Sequence, residues 1–339
     1  MKVLVATRES AVFDALRGAP AVEDTIIALV TGKVYEAVPD VQLVIIDYDD
    51  LIPHPFSTEM VHGLLRRRKQ LVVCSSAEFL EDPQRYLGAR YSRERMLPLP
   101  EPKIIAFTSY SGGTGKTTLA LDTAFHFAQE TGEELALPVG LFECTYGGSA
   151  LQALLNLDGQ RTVHDLASRG DLQPAEFSGM LLYPMDYPQV RLLSSDRVLR
   201  YLKQQINNHV LTVIDTSWPH GLMAELGSEV YLWIVVTTPR IDAVDNARRL
   251  LEELRRDYGE GKVILAVNQM GGLGASLALM GTPRAIEFPQ LQSSGALFDG
   301  RLGRQVLSYA YPGLWPQYLR KRKRRLWPFA RRREASQTA

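Results

Sequence analysis

The ten residues Ser109-Tyr110-Ser111-Gly112-Gly113-Thr114-Gly115-Lys116-Thr117-Thr118 constrain this chain more than any other stretch. An apolar run, Lys103–Thr108, precedes them, and a helical pattern over about Lys116–Glu130 follows. Glycines at such a junction let backbone N–H groups turn inward with no Cβ in the way, and the helix start adds the positive end of its dipole. Strand, glycine-rich turn and helix in that order make a cradle for phosphate groups. Lys116 is in reach of β- and γ-phosphates, and the Thr117 hydroxyl is placed to ligate Mg2+. The pattern G-x-x-x-x-G-K-[ST] fails only at its first glycine, where Tyr110 stands. The competing reading is a turn that binds nothing.

The rest of the chain is compatible with such a site. Short runs rich in Val, Ile and Leu occur at Val3–Ala6, Thr25–Val30, Val41–Ile46 and Leu71–Cys74. Between the last two, Ser57–Lys69 carries Met60, Val61, Leu64 and Leu65 at helical spacing. Alternating buried strands and helices imply a parallel sheet. Leu97-Pro98-Leu99-Pro100-Glu101-Pro102 then predicts a stiff extended linker. Beyond it, strands are predicted at Lys103–Thr108, Val139–Phe142, Val190–Leu193, Leu211–Ile214, Tyr231–Thr237 and Val263–Val267, with a helix over Asp242–Tyr258. The predicted fold class is α/β, with two doubly wound parallel-sheet domains. The predicted division is 1–97, a linker at 98–102, a phosphate-binding domain over 103–318 and a tail at 319–339. Asn, Gly and Pro punctuate 268–289, a stretch expected to contain a mobile loop.

Composition removes other classes. Hydrophobic residues at 45% and charged residues at 22% are incompatible with a disordered or coiled-coil chain. No run of about 18 apolar residues occurs, so no spanning helix is expected. Cys74 and Cys144 form no metal-ligand spacing and no disulfide framework, which suits a reducing cytoplasm. The net charge of zero conceals an asymmetry. Residues 301–339 hold eleven Lys/Arg and the single acid Glu334, so the remainder is net acidic. Nine of the fourteen residues 320–333 are basic, and Leu326, Trp327 and Phe329 interrupt them. Such a segment can lie on an anionic membrane surface, pair with nucleic-acid phosphates, or remain solvated.

Gly-Gly-Thr-Gly-Lys-Thr-Thr at 112–118 resembles the deviant Walker A motif of the ParA/MinD ATPases, usually Lys-Gly-Gly-x-Gly-Lys-Thr-Thr. The resemblance implies a SIMIBI-type P-loop domain that binds ATP and Mg2+ through Gly112, Gly113, Thr114, Gly115, Lys116, Thr117 and Thr118. It implies that Asp215, after Leu211–Ile214, is the Walker B aspartate holding Mg2+ through water, and that Asn268, after Val263–Val267, reads the adenine edge. A turn residue is the alternative for Asn268. It also implies a homodimer. The chain departs from the pattern at two places. Ser111 replaces the lysine that crosses the family's dimer, and Glu143-Cys144-Thr145 replaces Asp-x-Asp, whose second aspartate positions the attacking water. Threonine is no carboxylate base. Hydrolysis is therefore expected to be weak or absent, with Glu143 the candidate substitute.

The order Thr162–Leu166, Met180–Tyr183 and Val190–Ser195 resembles the TadZ/CpaE pilus-assembly branch, whose members carry an N-terminal receiver-like domain. That resemblance implies a cytoplasmic localisation factor for a Tad-type pilus or related membrane-bound secretion machine. It would be peripheral at the inner face of the membrane and would dock on the machine's proteins. The alternatives are a ParA-like DNA-partitioning or MinD-like positioning ATPase and, without an identifiable substrate pocket, a metabolic ATP-dependent enzyme. In the first domain Asp47 follows the third strand, but Ala6-Thr7-Arg8 stands where a phosphoreceiver needs an acidic pair. Asp47 is thus expected to be structural, and the domain a docking or dimerisation module.

Overall fold

The computed structural model describes residues 1–68, 70–89, 91, 98–132, 137–157, 161–187, 195–270, 285–289 and 301–315. The predicted strand at Val190–Leu193, most of the predicted loop at 268–289 and the basic tail lie outside them. Two compact units divide between Glu101 and Pro102.

The first unit alternates β1 (Lys2–Ala6), α1 (Ser10–Leu16), β2 (Asp24–Ile27), α2 (Thr31–Ala37), β3 (Leu43–Ile46), α3 (Thr58–Arg67), β4 (Val72–Cys74), α4 (Ser76–Glu81) and α5 (Pro83–Leu87). The strands pair in parallel in the order β2-β1-β3-β4. That is the order of a doubly wound sheet's first four strands. β1 and β3 are the inner strands and are apolar on both faces. Val3, Val5, Leu43 and Ile45 join Val12, Leu16 and Phe79 in one cluster. Met60, Val61, Leu64 and Leu65 form the buried face of α3, whose first turn is capped by Ser57 accepting from the Met60 N–H. The linker is less free than its prolines predict. Pro100 is buried, and its carbonyl accepts from the Tyr35 hydroxyl at 2.7 Å.

The second unit comprises β5 (Lys103–Thr108), α6 (Lys116–Gly132), β6 (Val139–Cys144), α7 (Ala150–Leu155), α8 (Val163–Ser168), β7 (Ala175–Phe177), β8 (Met180–Tyr183), α9 (Ser195–Ile206), β9 (Leu211–Thr216), α10 (Gly221–Leu226), β10 (Leu232–Thr237), α11 (Ile241–Tyr258), β11 (Val263–Met270), β12 (Ala285–Pro289) and α12 (Arg301–Ala310). Its sheet order is β12-β11-β10-β5-β9-β6-β8-β7. All pairs are parallel except β7 with β8. β5 and β9 are neighbours at the centre. The chain crosses from β5 to β6 on one side and later reaches β10 on the other. Ligands bind outside the carboxyl ends of strands at such a reversal.

The β7–β8 hairpin, β12 and α12, absent from the sequence reading, complete this unit. The β7–β8 hairpin turns through Ser178 and Gly179, at φ +50° and +84°. Two consecutive positive φ values match the right-handed twist of a hairpin, and glycine takes one at no steric cost. Helix α12 packs on α6 so closely that a Cβ on Gly303 would lie 2.5 Å from the Asp122 carbonyl oxygen. The Gly303 N–H donates to the buried Asp122 carboxylate at 2.7 Å. Trp315 then stacks on Phe127 at 5.5 Å.

Candidate nucleotide site

The glycine-rich loop spans the end of β5 and the start of α6, where its sequence placed it. Gly113 and Gly115 adopt φ +69° and +89°. These are conformations that L side chains rarely take, so both positions require glycine. Gly112 and Gly113 are exposed, while Gly115, Lys116, Thr117 and Thr118 are half-buried. Lys116 opens α6, and the Gly115 carbonyl accepts the Leu119 N–H at 3.0 Å. The first-turn N–H groups of α6 therefore have no partner within the helix and face the loop's end of the unit.

Four side chains tether this loop. The Ser109 Oγ accepts from the Ser111 N–H at 3.0 Å and donates to the Ser111 carbonyl. Tyr110, at the place of the missing first glycine, donates its hydroxyl to Glu253 of α11. Asn246, two helical turns before Glu253, reaches the Ser111 hydroxyl at 3.4 Å. Asn268 donates its Nδ2 to the Thr114 carbonyl at 2.9 Å. The predicted adenine reader thus lies against the loop, inside β11 rather than beyond its end, with one of its amide N–H groups bonded to the loop. Asn246 and Glu253 were invisible to motif reading. Their only sequence signal is that they lie seven residues apart on one long helix.

Asp215 lies one residue inside the end of β9, between its register partners Phe107 of β5 and Glu143 of β6. It is fully buried. One carboxylate oxygen accepts from the Thr117 hydroxyl, and the other, Oδ1, is buried with no partner. Burial pushes the Asp215 carboxyl above its ordinary range, against the Thr117 hydrogen bond and the Lys116 charge, which pull it down. The Thr108, Thr114 and Ser217 hydroxyl oxygens are also buried without partners. All of these atoms belong to the carboxyl ends of β5 and β9 or to the loop. Native interiors leave few such groups unpaired, so this cluster is the mark of a site that a polar group completes. The donor set suits Mg2+, which prefers oxygen ligands and keeps several waters.

Glu143 is placed otherwise than a water-positioning base requires. It is fully buried, and its two oxygens accept from the Ser149 hydroxyl, the Ala150 N–H at 2.7 Å, the Leu151 N–H at 3.4 Å and the Met185 N–H at 3.1 Å. It therefore closes the N-terminus of α7 and fixes the segment after β8. Burial nevertheless pushes its carboxyl up, outweighing these hydrogen bonds, and the Asp215 charge adds to the rise.

No protein-family model and no curated protein matches this sequence. Among solved structures, the chain is similar to the septum site-determining protein MinD of Pyrococcus horikoshii with Mg-ADP, at 19% identity and a TM-score of 0.49, over 62% of this chain and 98% of that one. It is similar to a ParA family ATPase of Chlorobium tepidum, at 16% identity and 0.49, over 63% and 94%. It is similar to the cobyrinic acid a,c-diamide synthase of Mycobacterium smegmatis with a bound ATP analogue and magnesium, at 15% and 0.47, over 63% and 98%.

In the first unit, the Thr7 hydroxyl donates to Asp47 Oδ2 at 2.5 Å and the Ser76 N–H to Oδ1 at 3.1 Å. Burial alone would raise the Asp47 carboxyl, but the bonds from Ser76 and Thr7 outweigh it and hold the group below its ordinary 3.8. Both oxygens of Asp47 are thus engaged by the chain.

Proposed function

We propose that the second unit is an ATP-binding module of the ParA/MinD type that uses Mg2+. The observation that carries this reading is the buried Asp215 carboxylate, bonded to Thr117 on one side and orphaned on the other, beside a loop with left-handed glycines. An unsatisfied buried acceptor costs about 1–3 kcal/mol, and more when charged. A hydrated cation removes that cost. Thr117 and Asp215 would hold Mg2+, which supplies positive charge against the phosphate oxygens. Lys116 neutralises the β- and γ-phosphates, and backbone N–H groups of 112–118 donate to them. The amide oxygen of Asn268 is an acceptor suited to the adenine amino group.

Turnover is slow in this reading. Thr145 provides no carboxylate, Ser111 no cation, and all four hydrogen bonds of Glu143 are spent on structure. The test is titration with a fluorescent ATP analogue and Mg2+. Lys116→Ala should bind at least ten-fold more weakly than wild type, and equal affinity would sink the assignment. Phosphate release should remain near that of Lys116→Ala.

We further propose a homodimeric, cytoplasmic localisation factor for a Tad-type pilus or related membrane-bound secretion machine, similar to the TadZ/CpaE branch. The β2-β1-β3-β4 order of the first unit supports a receiver-like domain there. The Thr7–Asp47–Ser76 arrangement supports one that docks rather than accepts phosphate. The tail is assigned to an anionic inner leaflet. Flotation with anionic vesicles should lift the full chain but not a truncation after Tyr318. Loss of that difference, with duplex DNA shifting only the full chain, would replace this reading with a partitioning ATPase.

A further inference from the structure

We infer that Glu253 is a positioning residue that joins the leading arm of the phosphate loop to the segment leaving β9, so that occupancy of the loop is felt at Trp218. The inference rests on the nucleotide reading above. One carboxylate makes both connections. Its Oε2 accepts from the Tyr110 hydroxyl, and its Oε1 accepts from the Trp218 indole N–H at 3.1 Å. Tyr110 lies two residues before the paired glycines, and Trp218 three residues after Asp215. The carboxylate therefore links the two segments that flank the phosphates and the cation.

The link has a fixed base and a responsive end. Glu253 projects from α11, whose opposite face is buried through Ala243, Val244, Ala247, Leu250, Leu251 and Leu254. That face cannot shift without repacking the sheet. Trp218 is half-buried, edge-on to Trp233 at 5.6 Å and to Tyr258 at 6.4 Å. An edge-on ring held by one N–H bond changes its surroundings when that bond is strained or lost. Tyr110 is 41% exposed, too open to serve the core, so its hydroxyl bond is its main constraint. A tyrosine in place of the motif's first glycine thereby gains a role. It fixes an arm that a glycine would leave loose, which lowers the ordering cost of binding phosphate.

The test uses intrinsic fluorescence of the full chain, with Trp218→Phe to assign the signal among four tryptophans. Wild type should change emission on adding Mg-ATP, and Trp218→Phe should lose that change. Tyr110→Phe removes the hydroxyl and keeps the ring. It should weaken Mg-ATP affinity about five-fold, the worth of one hydrogen bond, and abolish the Trp218 response at saturating nucleotide. Glu253→Leu, which leaves neither the Tyr110 hydroxyl nor the Trp218 N–H a partner on α11, should do the same. Both variants should bind ADP and ATP in unchanged ratio. Variants that melt lower but keep wild-type affinity and a full Trp218 response would reduce Glu253 to a structural role and overturn the inference. If wild type binds nucleotide through Lys116 and Tyr110→Phe is indistinguishable from it, only the link fails. If wild type binds no nucleotide, both readings fail.

Discussion

Gly115→Ala is the most informative single change, because two independent costs meet at one atom. Gly115 has φ +89°, and an added Cβ would lie 2.3 Å from Asn268 Nδ2. Carbon and nitrogen atoms pack favourably at about 3.5–4.0 Å, so the amide must leave and its bond to the Thr114 carbonyl breaks. The left-handed backbone costs alanine about 1–2 kcal/mol. The lost hydrogen bond costs about 1 kcal/mol. The free loop can relax, whereas phosphate requires the wound conformation, so the sum of about 2–3 kcal/mol falls on binding. That is about thirty- to one-hundred-and-fifty-fold in affinity. Asn268→Ala alone should cost at least about five-fold, through the same bond and through the contact with the base. In the double variant the bond is already gone and only the backbone strain is added. The double variant should therefore bind about as well as Gly115→Ala, with a coupling of about 1 kcal/mol. Titration of all four proteins with a fluorescent ATP analogue measures this. Penalties that simply multiply would show that Asn268 does not hold the loop, and an unchanged affinity in Gly115→Ala would remove the loop from the site.

Two further outcomes follow from buried contacts. Because burial raises the Asp215 carboxyl, the folded state binds its proton more tightly than the unfolded state does, and stability is lost as pH climbs above the ordinary 3.8. Asp215→Asn should melt higher than wild type at pH 7 without nucleotide yet lose the Mg2+-dependent gain on adding ATP; a lower nucleotide-free melting temperature contradicts this. Gly303→Ala would place its Cβ 2.5 Å from one backbone atom and 2.7 Å from another on α6. It should destabilise the second unit by about 1–3 kcal/mol in a denaturant titration, and a neutral result would mean that α12 is not docked as described.

Much of the phosphate site was legible because its determinants are local. Lys103–Thr108, the glycines and the start of α6 are contiguous, and each residue's chemistry announces its conformation. Asp215 could be found because it follows a buried strand after a phosphate loop. The β7–β8 hairpin carries a local sign, Ser178-Gly179 between apolar residues, but its strands of 3 and 4 residues are too short to show an alternating pattern. Other features had no local signature. Glu143 looked like a candidate base because its four donors come from Ser149, Ala150, Leu151 and Met185, up to 42 positions away. Nothing near Glu253 in sequence reveals Tyr110, 143 positions earlier. Helix α12 was missed for the same reason, since its glycine is explained only by the helix it meets.

That last contact also sets an order of events during synthesis. Asp122, in the helix that begins with Lys116, accepts from a residue 181 positions downstream. Until residues 303–315 leave the ribosome, the back of the helix that opens the phosphate loop lacks the Gly303 and Trp315 contacts. Contacts so distant in sequence form late, after a long loop has closed. The nascent chain therefore has its phosphate loop translated early and supported last.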